Sequence, residues 1–431
     1  MIDILFSIPV TLKVFLTLCF FLLFHKLLKN LLLSLALGTA IIAFWSGHSP
    51  VAAAEIAWMR FSSIDNFFLM VIILQVIFLS SQMGNTGTLK QLVSAVRSRF
   101  TRRITIAALP ASIGLLPMPG GAVFSAPLVD EADREGETEG SLKTKINYWF
   151  RHVWEYWWPL YPGVFLTVDL SGIPLGRFVI IMIPLTAFAI LSGYIFFLRR
   201  IQPRPKEKSS EGESLFLPFI PIVIVIGVYI ILKTLLPALT EINKYLPMVI
   251  GLFAAIVYLQ IRRPLSRRKL FKMLFSRKAL EMALIVAVIR IYGAFIEARL
   301  PGGMLLMETM RNELHAVGIP LLLLIVVLPF ISGISTGISV GFVGASFPIV
   351  LNLLGPQAGT PAYVAGVMLA YLYGFMGIIL SPVHVCLIVT NRHFQTSLSQ
   401  SLIRLLPASL LVLFLGTAYY ALLRVLLPML L

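Results

Sequence analysis

The chain reads as an all-α polytopic membrane protein, with about ten transmembrane helices plus two re-entrant hairpins in two inverted repeats. Three observations predict this. Apolar residues make up 58% of the chain and charged residues only 13%, about half the charged share of a soluble domain. Apolar runs of about 20 residues, enough for a helix to cross the hydrocarbon core, recur along the sequence, while the alternating segments of a β-barrel are missing. The runs are interrupted at matching places in each half by proline and glycine.

Taken in order, residues 1–200 form the first repeat. Its spanning runs are Ile4–Phe24, Leu31–Ser46, Ile64–Met83, Ile146–Val168 and Arg177–Leu198. Asp3 stands where a signal peptide would carry a basic region, so the first run is expected as a retained helix. Asp65 and Asn66 open the third run, where a helix cap is the simplest account. Residues 201–214 are polar and proline-bearing and read as a cytoplasmic linker. Residues 215–431 form the second repeat, with runs at Leu215–Leu235, Tyr245–Ile261, Ala279–Ile296, Ala362–Val389 and Ser401–Leu427. Asp130–Gly140, with six acidic residues and one basic, reads as a solvated cytoplasmic connection.

Charge sets the orientation. The net charge is +16, and 18 of the 35 Lys and Arg lie in three loops, at residues 90–103, 199–208 and 262–278. Short basic loops between apolar runs mark the cytoplasmic side and not a nucleic-acid partner. All three are cytoplasmic only if the N-terminus is outside and five helices separate the halves. An odd number of spans inverts the second half, as inverted repeats require. The expected location is the cytoplasmic (inner) membrane.

Each half carries one hairpin. Ile104–Val129 contains GLLPMPGGAVFSAP. Four prolines cannot occupy one straight helix, and Gly120–Gly121 permit a sharp reversal. The tip is expected at Pro117–Gly121, near mid-membrane, where open backbone is tolerated only against protein or a watery cavity. Leu328–Leu354 carries Gly333, Gly337 and Gly341 with several hydroxyls. It reads as a second hairpin, or as a small-residue ridge for close helix packing; the two are compatible. Gly120 precedes Pro162 by 42 residues and Gly337 precedes Pro382 by 45, and each proline breaks the next span. Paired interruptions of this kind point to a transporter's central site, where half-helix N-termini suit an anion.

The element order and the strings LPMPGG (116–121) and LSPVH (380–384) resemble the ion-transporter superfamily, and within it the uncharacterised integral-membrane branch, domain of unknown function 401. The resemblance covers nearly the whole chain. It implies a scaffold domain and a mobile transport domain carrying both hairpins, elevator motion, an anionic substrate and a homodimer. Dicarboxylate carriers of the superfamily have Ser-Asn-Thr at both tips. Here Met118-Pro119-Gly120 and Ile334-Ser335-Thr336 stand there, so sodium sites built on that motif do not carry over.

The fourth run opens with Asn147, Arg151 and Glu155 at helical spacing, beside His152. Ionisable groups at membrane depth mark function by default. Glu155 and His152 are candidate proton carriers, with Arg151 alongside; an interfacial Arg151–Glu155 pair among belt or packing tryptophans is the plainer alternative. His384, beside the second break, is a substrate or proton contact or a helix–helix hydrogen bonder. Arg290 and Glu297 share a face and read as structural. The expected substrate site comprises Pro117, Met118, Pro119, Gly120, Gly121, Ser125, Tyr161, Ser332, Ser335, Thr336, Ser339, Ser381 and His384. Cys19 and Cys386 lie inside apolar runs, so neither a disulfide nor a metal framework is expected, and no cofactor beyond a coupling ion, H⁺ or Na⁺.

The expectation is therefore a secondary active transporter of a small organic or inorganic anion, with membrane lipids as surroundings. A lipid or lipid-phosphate transporter is the alternative. A membrane enzyme is disfavoured, because HExxH is absent, and no Walker sequence supports an ATP-driven pump.

Overall fold

In hydrocarbon a chain must satisfy its own N–H and C=O groups, and helices do this within one segment. The computed structural model describes residues 8–86, 96, 100–115, 121–133, 138–202, 219–301, 303–355 and 360–430, and over these it has helices and no strands. The first half contains α1 (Val10–Leu28), α2 (Leu31–Trp45), α3 (Pro50–Phe61), α4 (Ile64–Asn85), α5 (Arg102–Gly114), α6 (Ala122–Ala132), α7 (Gly140–Arg151), α8 (Pro162–Ser171) and α9 (Leu175–Phe196). The second contains α10 (Ile220–Leu235), α11 (Pro237–Ile242), α12 (Leu246–Arg262), α13 (Arg267–Leu274), α14 (Arg277–Glu297), α15 (Leu306–Val317), α16 (Leu321–Thr336), α17 (Ser339–Leu354), α18 (Pro361–Ile379), α19 (Val385–His393) and α20 (Leu398–Leu430). Among the described residues, six helices are long and apolar enough to cross a membrane, or seven if α15 and α16, bent by 113°, count as one. Shorter apolar helices, α2, α10 and α12, stand where other spans were expected. The protein is a multi-pass helical membrane protein.

The expected hairpins are pairs of short helices. α5 and α6 have 13 and 11 residues, roughly 20 and 17 Å of helix against a core of about 30 Å. α16 and α17 have 16 residues each, roughly 24 Å. Gly337, with a left-handed φ of 64°, turns the chain between them, as only glycine does without strain. The first tip, Pro117–Gly120, lies outside the described residues, as does most of the linker at 201–214.

Packing sorts the helices. α1–α4, α10, α12 and α14 pack mainly on one another. So do α5–α9 and α16–α20. The first hairpin lies against α7 and α19, and the second against α18 and α8. Each hairpin thus touches the first half of its own broken helix and the second half of the other one. Between the groups, α14 packs on α17 and α1 on α16. Asp169 on α8 bridges them: its buried carboxylate accepts from Arg290 Nη1 at 2.8 Å, from Lys244 Nζ at 3.2 Å and from the Tyr245 hydroxyl.

Several local expectations change. The fourth run is not one helix at its start: α7 ends at Arg151 and irregular turns follow, so Glu155 is not on a continuous face with Asn147 and Arg151. The cap of α4 is Ser63, whose hydroxyl accepts from the Asn66 N–H, while Asp65 instead accepts from Asn243 at 2.8 Å. The acidic segment is not a plain exposed connection. Asp130 and Glu131 are helical, and Asp133 is buried against Arg102, Lys143 at 3.0 Å and Thr138. Burial pushes the Asp133 carboxyl up, but its bonds to Arg102, Lys143 and Thr138 outweigh this and hold it below the usual range. α3 and α15 were not expected. α15 is too charged for a span, and its Glu313 caps α1 from across the fold, accepting the Val10 and Thr11 N–H groups at 2.9 and 2.7 Å. Arg290 and Glu297 pair with different helices, Glu297 with Arg60 at 2.9 Å.

Candidate functional site

The site grows from the two helix breaks. Proline cannot donate to the carbonyl four residues earlier. Turns and not helix connect α7 to α8, and there the Tyr371 hydroxyl of α18 donates to the Glu155 carbonyl at 2.8 Å. Pro382 lacks the N–H that would reach Ile378 O at the end of α18, and the Ser381 N–H donates to that carbonyl at 3.0 Å instead. There the Tyr148 hydroxyl of α7 lies 3.1 Å from Ile379 O and 3.4 Å from Ile378 O. Each broken helix supplies a tyrosine to the other's break. Asn147 Nδ2 adds a bond to Thr390 Oγ1 at 2.9 Å, tying α7 to α19.

Between the breaks lies a buried polar cluster. Arg151, the last residue of α7, is 2% exposed. Its Nη1 lies 3.3 Å from Cys386 Sγ and 3.3 Å from His152 Nε2. His152 Nε2 is 3.1 Å from His384 Nε2 and 3.8 Å from Glu155 Oε1. His152 Nδ1 donates to the Tyr148 carbonyl at 2.5 Å, since a carbonyl only accepts. His384 Nδ1 is buried with no partner among the described residues. The expected coupling residues, Arg151, His152 and Glu155, thus meet His384 from the other half.

The hairpins close on this cluster. A Cβ on Gly121, just past the first tip, would stand 2.3 Å from Arg151 Nη2, so the guanidinium rests against bare backbone. Tyr161 donates to the Gly114 carbonyl of α5. Trp154 and Trp158 reach Ala111 O and Leu115 O at 2.8 and 2.9 Å, which makes them packing residues and not a belt. At the second hairpin, Gly337 abuts the His384 N–H, and Gly163 of α8 abuts Ser339. Four helices, α6, α8, α17 and α19, start at these junctions, and none has a side-chain cap among the described residues.

The expected site residues divide. Ser125 and Ser332 are fully buried, with hydroxyls unpartnered among the described residues. Thr336 and Ser381 spend their hydroxyls on the Ser332 and Ile334 carbonyls, at 2.7 and 2.5 Å, and so hold the backbone. Ser335 and Ser339 are half-buried near the second tip. Pro117, Met118, Pro119 and Gly120 lie outside the described residues. Sequence reasoning missed Tyr148, Tyr371 and Cys386. The spacing His384-x-Cys386 beside a break was the available signal for the thiol.

Chemically, the cluster offers one guanidinium, two imidazoles, a carboxylate and a thiol under helix ends that have no side-chain cap among the described residues. Such an arrangement can hold an anion and pass a proton between neighbours. A comparison with curated proteins gives no match. A family model matches residues 10–423, nearly the whole chain, and the protein belongs to that family, DUF401, described as a protein of unknown function.

Proposed function

We propose that this protein is a secondary active transporter of a small anion in the cytoplasmic membrane, working by elevator-type alternating access. One observation carries the reading: both hairpins and both helix breaks adjoin a cluster centred on the buried Arg151. A buried guanidinium is costly unless polar groups surround it, and uncapped helix N-termini nearby are ready anion donors. A fixed, partly helix-lined cation is what recognition of a carboxylate or oxyanion needs.

The reciprocal packing of hairpins and broken helices supports two inverted repeats. The group α5–α9 with α16–α20 fits a moving transport domain, and α1–α4 with α10, α12 and α14 a scaffold. Asp169 would then hold the two together on the face opposite the basic loops, with the N-terminus outside. Glu155, His152 and His384 form a chain of titratable groups suited to proton coupling; sodium remains the other coupling ion. Homodimerisation belongs to the same proposal through the family resemblance. Transport, and not catalysis, is proposed because the two GxSxG strings, at 333–337 and 337–341, lie at the turn between α16 and α17 and not on the strand-to-helix elbow that exposes a hydrolase serine.

Ligand-dependent stabilisation tests the anion site. A specific anion raises the melting midpoint of the detergent-solubilised protein by mass action. The expected result is a concentration-dependent rise with at least one carboxylate or oxyanion, abolished in Arg151→Gln. A rise that persists in Arg151→Gln contradicts the assignment.

A further inference from the structure

The structure assigns a second role to the same cluster: we propose that His152, His384 and Cys386 form a binding site for a thiophilic d¹⁰ metal ion of the copper(I) or zinc class. The proposal shares the His152 and His384 imidazoles with the proton-coupling chain proposed above but does not use the Arg151 guanidinium of the anion reading, so Cys386→Ser tests the metal and Arg151→Gln the anion.

The three donor atoms come from α7's end, the second break and α19, and all lie within 4.8 Å of one another. Ligands at roughly 2.0–2.3 Å from one ion stand about 3–4 Å apart, so small side-chain shifts close the site. His152 is already held as a ligand. Its Nδ1–H donates to the Tyr148 carbonyl, which fixes the tautomer and leaves the Nε2 lone pair facing the cluster, the usual outer-shell arrangement of metal-binding histidine. His384 presents Nε2 to the same point, 3.1 Å from His152 Nε2, and its unpartnered Nδ1 can take the ring proton when Nε2 coordinates. Tyr148 packs edge-on against both rings, at 4.8 and 5.3 Å, limiting their rotation. Cys386 is 5% exposed and adds the soft donor that selects copper(I) or zinc over calcium and magnesium. Coordination forms two metal–nitrogen bonds and one metal–sulfur bond, and the Cys386 proton leaves to solvent.

Arg151 decides between the two ions. Its Nη1 lies 3.3 Å from both Cys386 Sγ and His152 Nε2, so a dication meets more repulsion than a monocation. Three ligands also suffice for copper(I). Zinc needs a fourth, and Glu155, with Oε1 3.8 Å from His152 Nε2, is the neighbour in reach.

The test uses the full chain in detergent, in a Cys19→Ser background that removes the other thiol. Copper(I) is titrated anaerobically against a chromophoric chelator, and cobalt(II) serves as the spectroscopic stand-in for zinc. One copper(I) per chain is expected, weakened at least tenfold by Cys386→Ser and by His384→Gln. X-ray absorption of the loaded protein should show one sulfur among nitrogen scatterers, a readout independent of any variant's folding. Cobalt(II) binding with a sulfur charge-transfer band, lost in Cys386→Ser, would support the site with the divalent ion as occupant. Absence of stoichiometric binding by either ion, or metal scattering without sulfur, overturns the proposal.

Discussion

Tyr148 and Tyr371 are the residues through which the broken helices tolerate being broken. A buried carbonyl without a donor costs about 1–3 kcal/mol. Tyr371→Phe removes the donor to the Glu155 carbonyl while keeping the ring, which packs on Phe342 and Phe375. A loss of about 1–3 kcal/mol is expected, read as a lower melting midpoint in detergent; an unchanged midpoint would show that the bond is dispensable. Neither tyrosine was legible in the sequence, because both sit in apolar runs where an aromatic is ordinary. His152, Glu155 and Arg151 were legible, because ionisable groups inside a span are rare enough to stand out. Cys386 was passed over because a thiol in an apolar run reads as a small hydrophobe, and only the fold brings it to the histidines.

At the scale of elements, the prolines and glycines carried the most information. Pro159, Pro162 and Pro382 located both helix breaks, and Gly337 the second hairpin turn. The exact end of α7 was not visible. Helical spacing of Asn147, Arg151 and Glu155 suggested one face, but the helix stops at Arg151, eight residues before Pro159. The short polar helices escaped for a related reason. α15 contains Glu308, Arg311 and Glu313, which hide it from a search for apolar runs, although Glu313 caps α1. Asp169 is the cross-brace between the two helix groups, and its side chain is 1% exposed beside Arg290 at 11%. Asp169→Asn leaves that guanidinium without its carboxylate, and breaking such a pair costs about 3 kcal/mol or more. The half-exposed Lys244 contributes little. The expected outcome is a clear fall in melting midpoint, larger than for Lys244→Gln; equal effects would mean that the Arg290 bond does not bear on stability.

On the scale of the whole molecule, composition and the length of the apolar runs together made the helical, multi-pass class legible. The proposed repeat rests in the sequence on spacing, 42 residues against 45 between glycine and proline. The packing adds what spacing could not: α5 and α6 lie on α7 and α19, and α16 and α17 on α18 and α8. That exchange brings His384 of one half onto His152 of the other. The central claim is that this crossing point moves an anion. Uptake by proteoliposomes across a panel of carboxylates and inorganic oxyanions, under imposed proton and sodium gradients, tests it most directly. The account predicts saturable, gradient-dependent uptake of at least one anion, lost about a hundredfold or more in Arg151→Gln. No uptake above protein-free liposomes across the panel, or uptake unchanged in Arg151→Gln, would contradict it.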